Sequence, residues 1–184
     1  MAKLISKTYG DALFTLAVEE NKIDELVQEI TQLLDILKKE EDFSKLMNHP
    51  RVPVDEKINL VKDIFTGRIS SELVGFLTLV VTKGRYSSIN EILQYFIDSA
   101  KEFKGIGVAY VTTPLPLNDS QKSAITEKLL ATTQYKEMEM HYVLNEELIG
   151  GMQIRIKDRV VDSSIQTKIL KMQQNLMQIQ GTAE

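Results

Sequence analysis

The sequence has 184 residues, of which 43% are hydrophobic and 26% are charged, and its formal net charge is −4. This composition is typical of a globular chain of one or two domains, and the lack of cysteine excludes disulfides, thiolate nucleophiles and cysteine metal sites. The acidic balance argues against a dedicated nucleic-acid-binding protein. No apolar run approaches the roughly 20 residues of a membrane-spanning helix. The first residues lack the apolar segment of a secretory signal, which predicts a cytosolic chain.

Apolar residues recur with a helical period over residues 4–103. The stripes in 23–37 and 89–103 each describe a helix with one buried face. Ser88, with a glutamate three residues later, forms a capping-box pattern before the second of these stripes. Asp55 is the expected N-cap of another helix that follows Pro53.

Two more helical segments complete the first half of the chain. A short helix is expected at 43–47, before the prolines, and a strongly apolar one at 73–81. Gly84 suits the left-handed position just past that helix. Together with the segment that begins at Leu4, these patterns predict an all-α bundle of six helices over residues 1–104.

The hydrophobic period changes after Gly107. Residues 108–112 are rich in β-branched and aromatic side chains and predict a strand, and Asn118 or Asp119 is the expected cap of the helix that follows. Alternation predicts further strands at 138–144, 152–156 and 160–161. A last helix, capped by Ser163, carries an apolar stripe: Ile165, Ile169, Met172, Leu176 and Ile179. The prediction is an α+β protein, in which a small mixed β-α-β-β-β-α module at 105–184 follows the helical bundle.

The glycine pairs do not form nucleotide-binding motifs. Gly105 and Gly107 precede a strand, whereas a dinucleotide fingerprint follows a strand and opens a helix, so a domain hinge is the better interpretation. Gly150 and Gly151 have no Lys-Ser or Lys-Thr behind them and open no helix. We interpret them as the tight bend that leads into the strand at Met152.

Neither the histidines nor the basic residues indicate catalysis. His49 and His141 have no second histidine at ligand spacing. A basic set gives the C-terminal module a positive edge: Arg155, Lys157, Arg159, Lys168 and Lys171. No aromatic residue is interleaved among them in the sequence, so an acidic protein partner or simple solubility is a better explanation than nucleic-acid binding. The sequence therefore predicts no enzyme, cofactor or metal.

Two helices carry more apolar residues than a bundle needs. On the first helix, a helical wheel places a core stripe at Ile5, Tyr9, Ala12, Leu13 and Leu16, and Leu4, Phe14 and Val18 on the reverse side. The helix at 73–81 is apolar over more than half of its circumference, and Gly75 beside Leu79 would let another helix approach closely. Either this helix is central to the bundle, or the two helices form a groove for a partner's amphipathic helix.

Three blocks of sequence, in their order along the chain, resemble the delta subunit of bacterial F-type ATP synthase, a relative of the mitochondrial oligomycin-sensitivity-conferring protein. The block 9–17, YGDALFTLA, is similar to the family's Tyr-Ala-x-Ala-Leu-x-x-x-Ala opening, and 83–86, KGRY, to its KGR block. The third block joins 148–151, LIGG, to 161–164, VDSS, and is similar to the family's L-I-G-G … I-D-x-S signature. The signature residues here are Gly150, Gly151, Asp162 and Ser164.

The chain departs from the family pattern at three places. Gly10 stands where alanine is usual, which by helix propensity alone would loosen the first helix by up to about 1 kcal/mol. Thr113-Pro114 replaces the usual small pair, and Lys157 occupies a turn position where the family often has glycine.

The resemblance implies a non-catalytic stator subunit without a cofactor, small-molecule substrate or nucleic-acid partner. It implies that the helical domain binds the N-terminal helices of the α subunits of the catalytic head, and the C-terminal module the C-terminal end of the b-subunit stalk. The protein would then lie on the cytoplasmic side of the cell membrane and reach it only through the complex. We expect the head-binding groove at five positions: Leu4, Phe14, Val18, Gly75 and Leu79. The alternative is a free-standing protein or nucleic-acid adaptor, which in the second case would bind with a steep salt dependence.

Overall fold

The computed structural model describes residues 2–157, 159–170, 172 and 173. The chain divides into a first unit, Met1–Phe103, and a second unit, Lys104–Glu184. Helices build the first unit, and a four-stranded mixed sheet organises the second, so the predicted α+β class is confirmed. Among the described residues, no helix combines the length and the apolarity that crossing a membrane requires.

The first unit is a succession of helices joined by short loops. They are α1 (Ala2–Glu19), α2 (Ile23–Lys39), α3 (Glu41–Asn48), α4 (Val54–Phe65), α5 (Ser71–Thr82), a 3-10 turn (Tyr86–Ser88) and α6 (Ile89–Phe103). Helix α6 packs against α1 and α2, and α4 packs against α5. Their shared core includes the buried residues Leu13, Leu26, Ile30, Met47, Val61, Leu73, Val80, Ile92, Leu93 and Phe96.

Two of the predicted helix caps are wrong. Pro53 is the N-cap of α4, and Asp55 lies one residue inside the helix, where its carboxylate still favours the positive end of the helix dipole. Ser88 ends the 3-10 turn that runs directly into α6, so it is not a free capping residue. In both cases a local rule identified the helix start to within one or two residues but assigned the wrong side chain.

The buried face of α1 also differs from the predicted stripe. Leu13 and Ala17 form it, whereas Ala12 is exposed. Gly10 is buried beneath the ring of Tyr95 in α6, and a Cβ built on Gly10 would lie only 2.4 Å from Cδ1 of that ring. The glycine therefore allows α1 and α6 to approach closely, which offsets the lower helix propensity expected at this departure from the family pattern.

The second unit begins with β1 and places it inside the sheet. Its elements are β1 (Ile106–Thr113), α7 (Asp119–Thr132), β2 (Glu137–Leu144), β3 (Gln153–Ile156) and β4 (Arg159–Asp162), and residues 165–170 are helical. The strand order is β2-β1-β3-β4, with β1 parallel to β2 and antiparallel to β3, and β3 antiparallel to β4. Of the two residues predicted as its cap, Asn118 and Asp119, it is Asn118 that begins α7, with a complete capping box. Leu176 and Ile179, predicted for the last helix, lie outside the described residues.

The two faces of this sheet are not equivalent. Ala109 and Val111 on the central strand β1 are fully buried, while Tyr110 between them is exposed. Nζ of Lys122 in α7 lies 5.6 Å from the ring centroid of Tyr142, a residue that pairs with Val111. Helix α7 therefore lies on the Val111 side, while Tyr110, which points to the other side, is exposed.

The β3–β4 hairpin shows why glycine suits its turn. Lys157 follows β3 and adopts the left-handed conformation, with φ of 51°. This conformation costs roughly 1 kcal/mol for a residue with a side chain but little for glycine. The lysine therefore occupies a backbone position at which glycine would be less strained.

Candidate partner-binding surfaces

The predicted head-binding residues fall into an exposed set and a half-buried set. Leu4 on α1 is 70% exposed and Leu79 on α5 is 46% exposed. Gly75, one turn before Leu79, is exposed too, and a Cβ built on it would meet nothing within 4 Å. This part of α5 therefore presents an apolar side chain next to open space that another helix could enter.

Phe14 and Val18 belong to the half-buried set, so Phe14 does not stand free on the reverse side of α1. The ring of Phe14 packs edge-on against Phe96 and Phe103 of α6, with centroid separations of 6.4 and 5.7 Å. A helical wheel cannot distinguish a surplus apolar face from a face that a neighbouring helix covers. Phe14 therefore stabilises the packing of α1 on α6, in addition to any part that it has in a binding surface.

Charged side chains fix the beginning of α5. The backbone N–H and the hydroxyl of Ser70 both donate to the carboxylate of Glu29 in α2, at 3.0 and 2.6 Å. Lys22, in the loop after α1, donates to Glu72, and this hydrogen bond lowers the pKa of the Glu72 carboxyl to about 2. The end of α1 is therefore tied to the start of α5.

The KGRY block is a structural joint between α5 and α6. Gly84 takes the left-handed conformation, with φ of 65°, as predicted. Tyr86 is buried and packs edge-on against Phe43, and this burial raises the pKa of its hydroxyl to about 12. The block positions the helices through the buried Tyr86, while Lys83, Gly84 and Arg85 are exposed.

The two signature glycines lie against the start of the helical segment that follows β4. Gly151 has a φ of 85°, and a Cβ on it would lie 2.5 Å from the carbonyl oxygen of Ser163 and 2.8 Å from Cα of Ser164. A Cβ on Gly150 would lie 2.6 Å from Cδ1 of Ile165. Backbone hydrogen bonds from Ile165 to Gly150 and from Ser163 to Met152 close the joint. Hence no phosphate-binding loop is needed to explain these glycines.

Asp162 and Ser164 complete the same joint. Asp162 accepts hydrogen bonds from the backbone N–H of Ser164 (2.8 Å), the hydroxyl of Thr167 (2.9 Å) and the amide of Gln153 (2.9 Å). The hydroxyl of the buried Ser164 accepts from the N–H of Thr167. Ser164, and not the predicted Ser163, therefore caps the helical segment, because its hydroxyl accepts from the N–H three residues further on.

This network makes the stability of the second unit depend on acid pH. The Ser164 N–H, followed by the other donors, lowers the pKa of Asp162 from 3.8 to about 2. The stabilisation is fully present above about pH 4 and is lost as the pH falls towards 2, because the unfolded carboxyl takes up its proton first. We expect Asp162→Asn to be less stable than the wild type at pH 6, and the difference to shrink as the pH falls from 4 to 2. Urea unfolding across this range checks it, and a constant difference would contradict it.

The Tyr110 side of the sheet carries a row of flat side chains across three strands. Tyr110 pairs with His141 on β2 and with Arg155 on β3. The His141 ring stacks on Tyr110 with 4.9 Å between the ring centroids. The guanidinium of Arg155, on the neighbouring strand β3, lies 4.9 Å from the Tyr110 centroid. With the exposed Val143 and Val160 on the same side, these residues form what we call the open face.

The open face corrects one step of the sequence interpretation. No aromatic residue is interleaved with the basic residues along the chain, yet strand pairing places Tyr110 beside Arg155. The two residues are 45 positions apart in the sequence, so no local pattern could reveal this contact. Alternation within each strand predicts on which face of the sheet a side chain lies. It does not predict which residue lies beside it on the neighbouring strand.

These features define a class: an α+β protein of two units, each of which carries exposed apolar side chains. Within the described part of the chain, no cluster of three or more His, Asp or Glu residues could hold a metal ion. The family model described as ATP synthase delta (OSCP) subunit matches residues 5–176. The chain belongs to this family.

Individual relatives agree over nearly the whole length. The ATP synthase subunit delta of Lachnoclostridium phytofermentans is 44% identical over 180 residues, which are 98% of this chain and 99% of that protein. The corresponding subunit of Brevibacillus brevis is 31% identical over 169 residues, covering 92% and 96%. A chain of the Toxoplasma gondii mitochondrial ATP synthase hexamer, at 18% identity, shares the fold with a TM-score of 0.67 over 94% of this chain and 97% of that chain. The protein is thus a non-catalytic peripheral-stalk subunit of an F-type ATP synthase.

Proposed function

We propose that the six helices of the first unit act as one bundle that binds the N-terminal helices of the α subunits of the catalytic head. The second unit binds the C-terminal end of the b-subunit stalk. By holding head and stalk together, the protein stops the head from turning with the rotor, so that proton flow drives ATP synthesis. Family membership supports this role, which needs neither cofactor nor small-molecule substrate.

The observation that carries the head contact is the exposed part of α5. Leu79 presents an apolar side chain beside Gly75, where nothing occupies the space that a side chain would fill. Such a notch lets a second helix come close enough to bury Leu79. Leu4 is a second exposed apolar residue, on α1, while Val18 is half-buried on the same helix and Phe14 packs against α6.

The mechanical role sets the affinity that these contacts must reach. A stator has to remain bound through many rotor turns, and a nanomolar complex corresponds to about −12 kcal/mol. A few buried apolar residues supply most of such a free energy. The protein would do this at the cytoplasmic side of the cell membrane, attached only through its partners.

Leu79→Asp tests the head contact, because a charge at this exposed position should spare the fold and oppose burial in the interface. We expect the affinity for the purified catalytic head to fall roughly 100-fold, about 2.7 kcal/mol. Leu4→Asp should also weaken binding. Titration calorimetry measures the affinity, and thermal unfolding confirms that each variant folds.

Val54→Asp is the matched control for Leu79→Asp. Val54 is 47% exposed against 46% for Leu79, but it lies at the start of α4 and outside the proposed groove. Its affinity for the head should remain that of the wild type. If Leu79→Asp and Leu4→Asp both fold and bind the head as tightly as the control, the groove assignment is wrong.

A further inference from the structure

The last turn of α1 fixes the backbone of Lys22. The chain leaves α1 through Asn21, which adopts the left-handed conformation with a φ of 55°. The backbone N–H of Asn21 donates to the carbonyl of Val18 at 3.1 Å, and that of Lys22 donates to the carbonyl of Ala17 at 2.9 Å. These are the two hydrogen bonds of a Schellman motif, which closes the carboxyl end of a helix. Lys22 therefore has a fixed position relative to α1, although it lies outside that helix.

The side chain of Lys22 reaches from this corner to the first turn of α5. Its Nζ lies 3.2 Å from the carboxylate of Glu20 and donates to the carboxylate of Glu72, whose side chain is only 16% exposed. This hydrogen bond lowers the pKa of Glu72 to about 2, so the pair is charged at neutral pH. Glu29 fixes the same end of α5 to α2 through Ser70, whereas Lys22 fixes it to the end of α1.

The Lys22–Glu72 ion pair lies at one end of the surface that we propose to bind the head. Glu72, Gly75 and Leu79 follow one another at spacings of three and four residues, so they share one face of α5. On the other helix, the half-buried Val18 precedes Lys22 by four residues. The ion pair thus joins α1 to α5 on the face of α5 that carries the exposed Leu79.

We infer that the Lys22–Glu72 ion pair is a positioning element of the head-binding groove, which holds α1 and α5 in the arrangement that a partner helix requires before that helix binds. This inference rests on the proposed function and adds to it the residues that preorganise the groove. A partner binds more tightly to helices that are already held in place, because less free energy is lost in ordering them. If the binding-competent arrangement is only partly populated, the apparent affinity falls in proportion to its population.

The first test measures the affinity of the full-length chain for the purified catalytic head by titration calorimetry. Glu72→Gln and Lys22→Met each remove the ion pair and should weaken binding about five- to tenfold, as expected if the competent arrangement falls to about 10–20%. Both should remain folded in thermal unfolding, because an ion pair near the surface adds little to stability. Lys22→Arg keeps the charged hydrogen bond and should bind within about twofold of the wild type.

Two further variants show whether the pair acts as a unit. The double variant Lys22→Met/Glu72→Gln should bind no more weakly than either single variant, because each single change already removes the same interaction. Glu41→Gln is the matched control: it makes the same change in a glutamate that pairs with a lysine, but its partner Lys45 lies in the same helix, α3. Its affinity for the head should remain that of the wild type.

A distance measurement separates positioning from direct contact with the head. The sequence has no cysteine, so spin labels on Ala12→Cys in α1 and Thr82→Cys in α5, both exposed positions, report the separation of the two helices. Glu72→Gln should broaden the distribution of label distances in the free protein, and addition of the head should narrow it again. An unchanged distribution together with weakened binding would mean that Glu72 contacts the head directly, and it would overturn the inference.

The outcomes distinguish the inference from the function on which it rests. If the wild type does not bind the head, the proposed function of the first unit and this inference both fail. If Leu79→Asp weakens binding while Glu72→Gln and Lys22→Met bind as tightly as the wild type, the inference alone is wrong. It is also overturned if the losses in the double variant add, since independent contacts with the head would be additive.

Discussion

Replacing Gly151 by alanine is expected to unfold the second unit and to leave the first unit folded. Two costs add. A non-glycine residue at a φ of 85° costs roughly 1–2 kcal/mol. The new Cβ would also meet backbone atoms of Ser163 and Ser164 at 2.5 and 2.8 Å, and these atoms cannot move without opening the joint after β4, which costs about 1–3 kcal/mol more. A total of about 2–5 kcal/mol approaches the whole stability of a small domain.

Gly75→Ala supplies the matched control for Gly151→Ala. Gly75 is an exposed helical residue with open space around it, so alanine there should raise the stability of the first unit by about 0.5–1 kcal/mol. Hydrogen exchange resolved along the chain distinguishes the two units. We expect Gly151→Ala to lose protection in β1 to β4 and to keep it in α6. Full protection of β3 and β4 would show that the joint tolerates a Cβ.

Two of the three sequence blocks that resemble the family, at 83–86 and at 148–164, mark joints of the fold. Gly151, Asp162 and Ser164 hold the end of β4 against the start of β3, and Gly84 with Tyr86 closes the loop before α6. Such joints admit few residue types, because each requires a particular backbone angle or buried donor. An apolar surface, by contrast, can be built from many combinations of residues. A signature can therefore identify the family without locating its partners.

The sequence predicted the order and type of the elements because those depend on local periodicity. The alternation in 152–156 and the helical stripe in 89–103 survive in the structure as β3 and α6. The Asn118 cap was also predictable, since a capping box lies within four residues. What local patterns cannot give is which neighbour covers an apolar residue.

Two candidate residues show this limit of local patterns. Phe14 lies outside the core stripe of a helical wheel, but Phe96 and Phe103 approach it from α6, more than 80 residues along the chain. Helix propensity alone predicts that Gly10 weakens α1, but the structure places the Tyr95 ring directly against this glycine. For α5 the sequence left central burial and a partner surface open, and the structure leaves Leu79 46% exposed.

Phe14→Asp is expected to lower the free energy of unfolding of the first unit by about 3 kcal/mol, because it removes part of an aromatic cluster and places a charge against two phenylalanine rings. Denaturant unfolding followed by helical circular dichroism measures this loss. Phe103→Asp is the control: it makes the same change in the same cluster at a residue that is 62% exposed, and it should cost less than about 1 kcal/mol.

The loss of stability in Phe14→Asp determines how a head-binding experiment with this variant is interpreted. A variant destabilised by 3 kcal/mol can lose binding because its first unit is partly unfolded or its helices are displaced, whatever the location of the groove. Leu79→Asp, at an exposed site, should lose binding with its stability unchanged. If Phe14→Asp instead unfolds at the same denaturant concentration as the wild type yet fails to bind the head, the Phe14 ring belongs to the interface itself, and α1 must present it by moving away from α6.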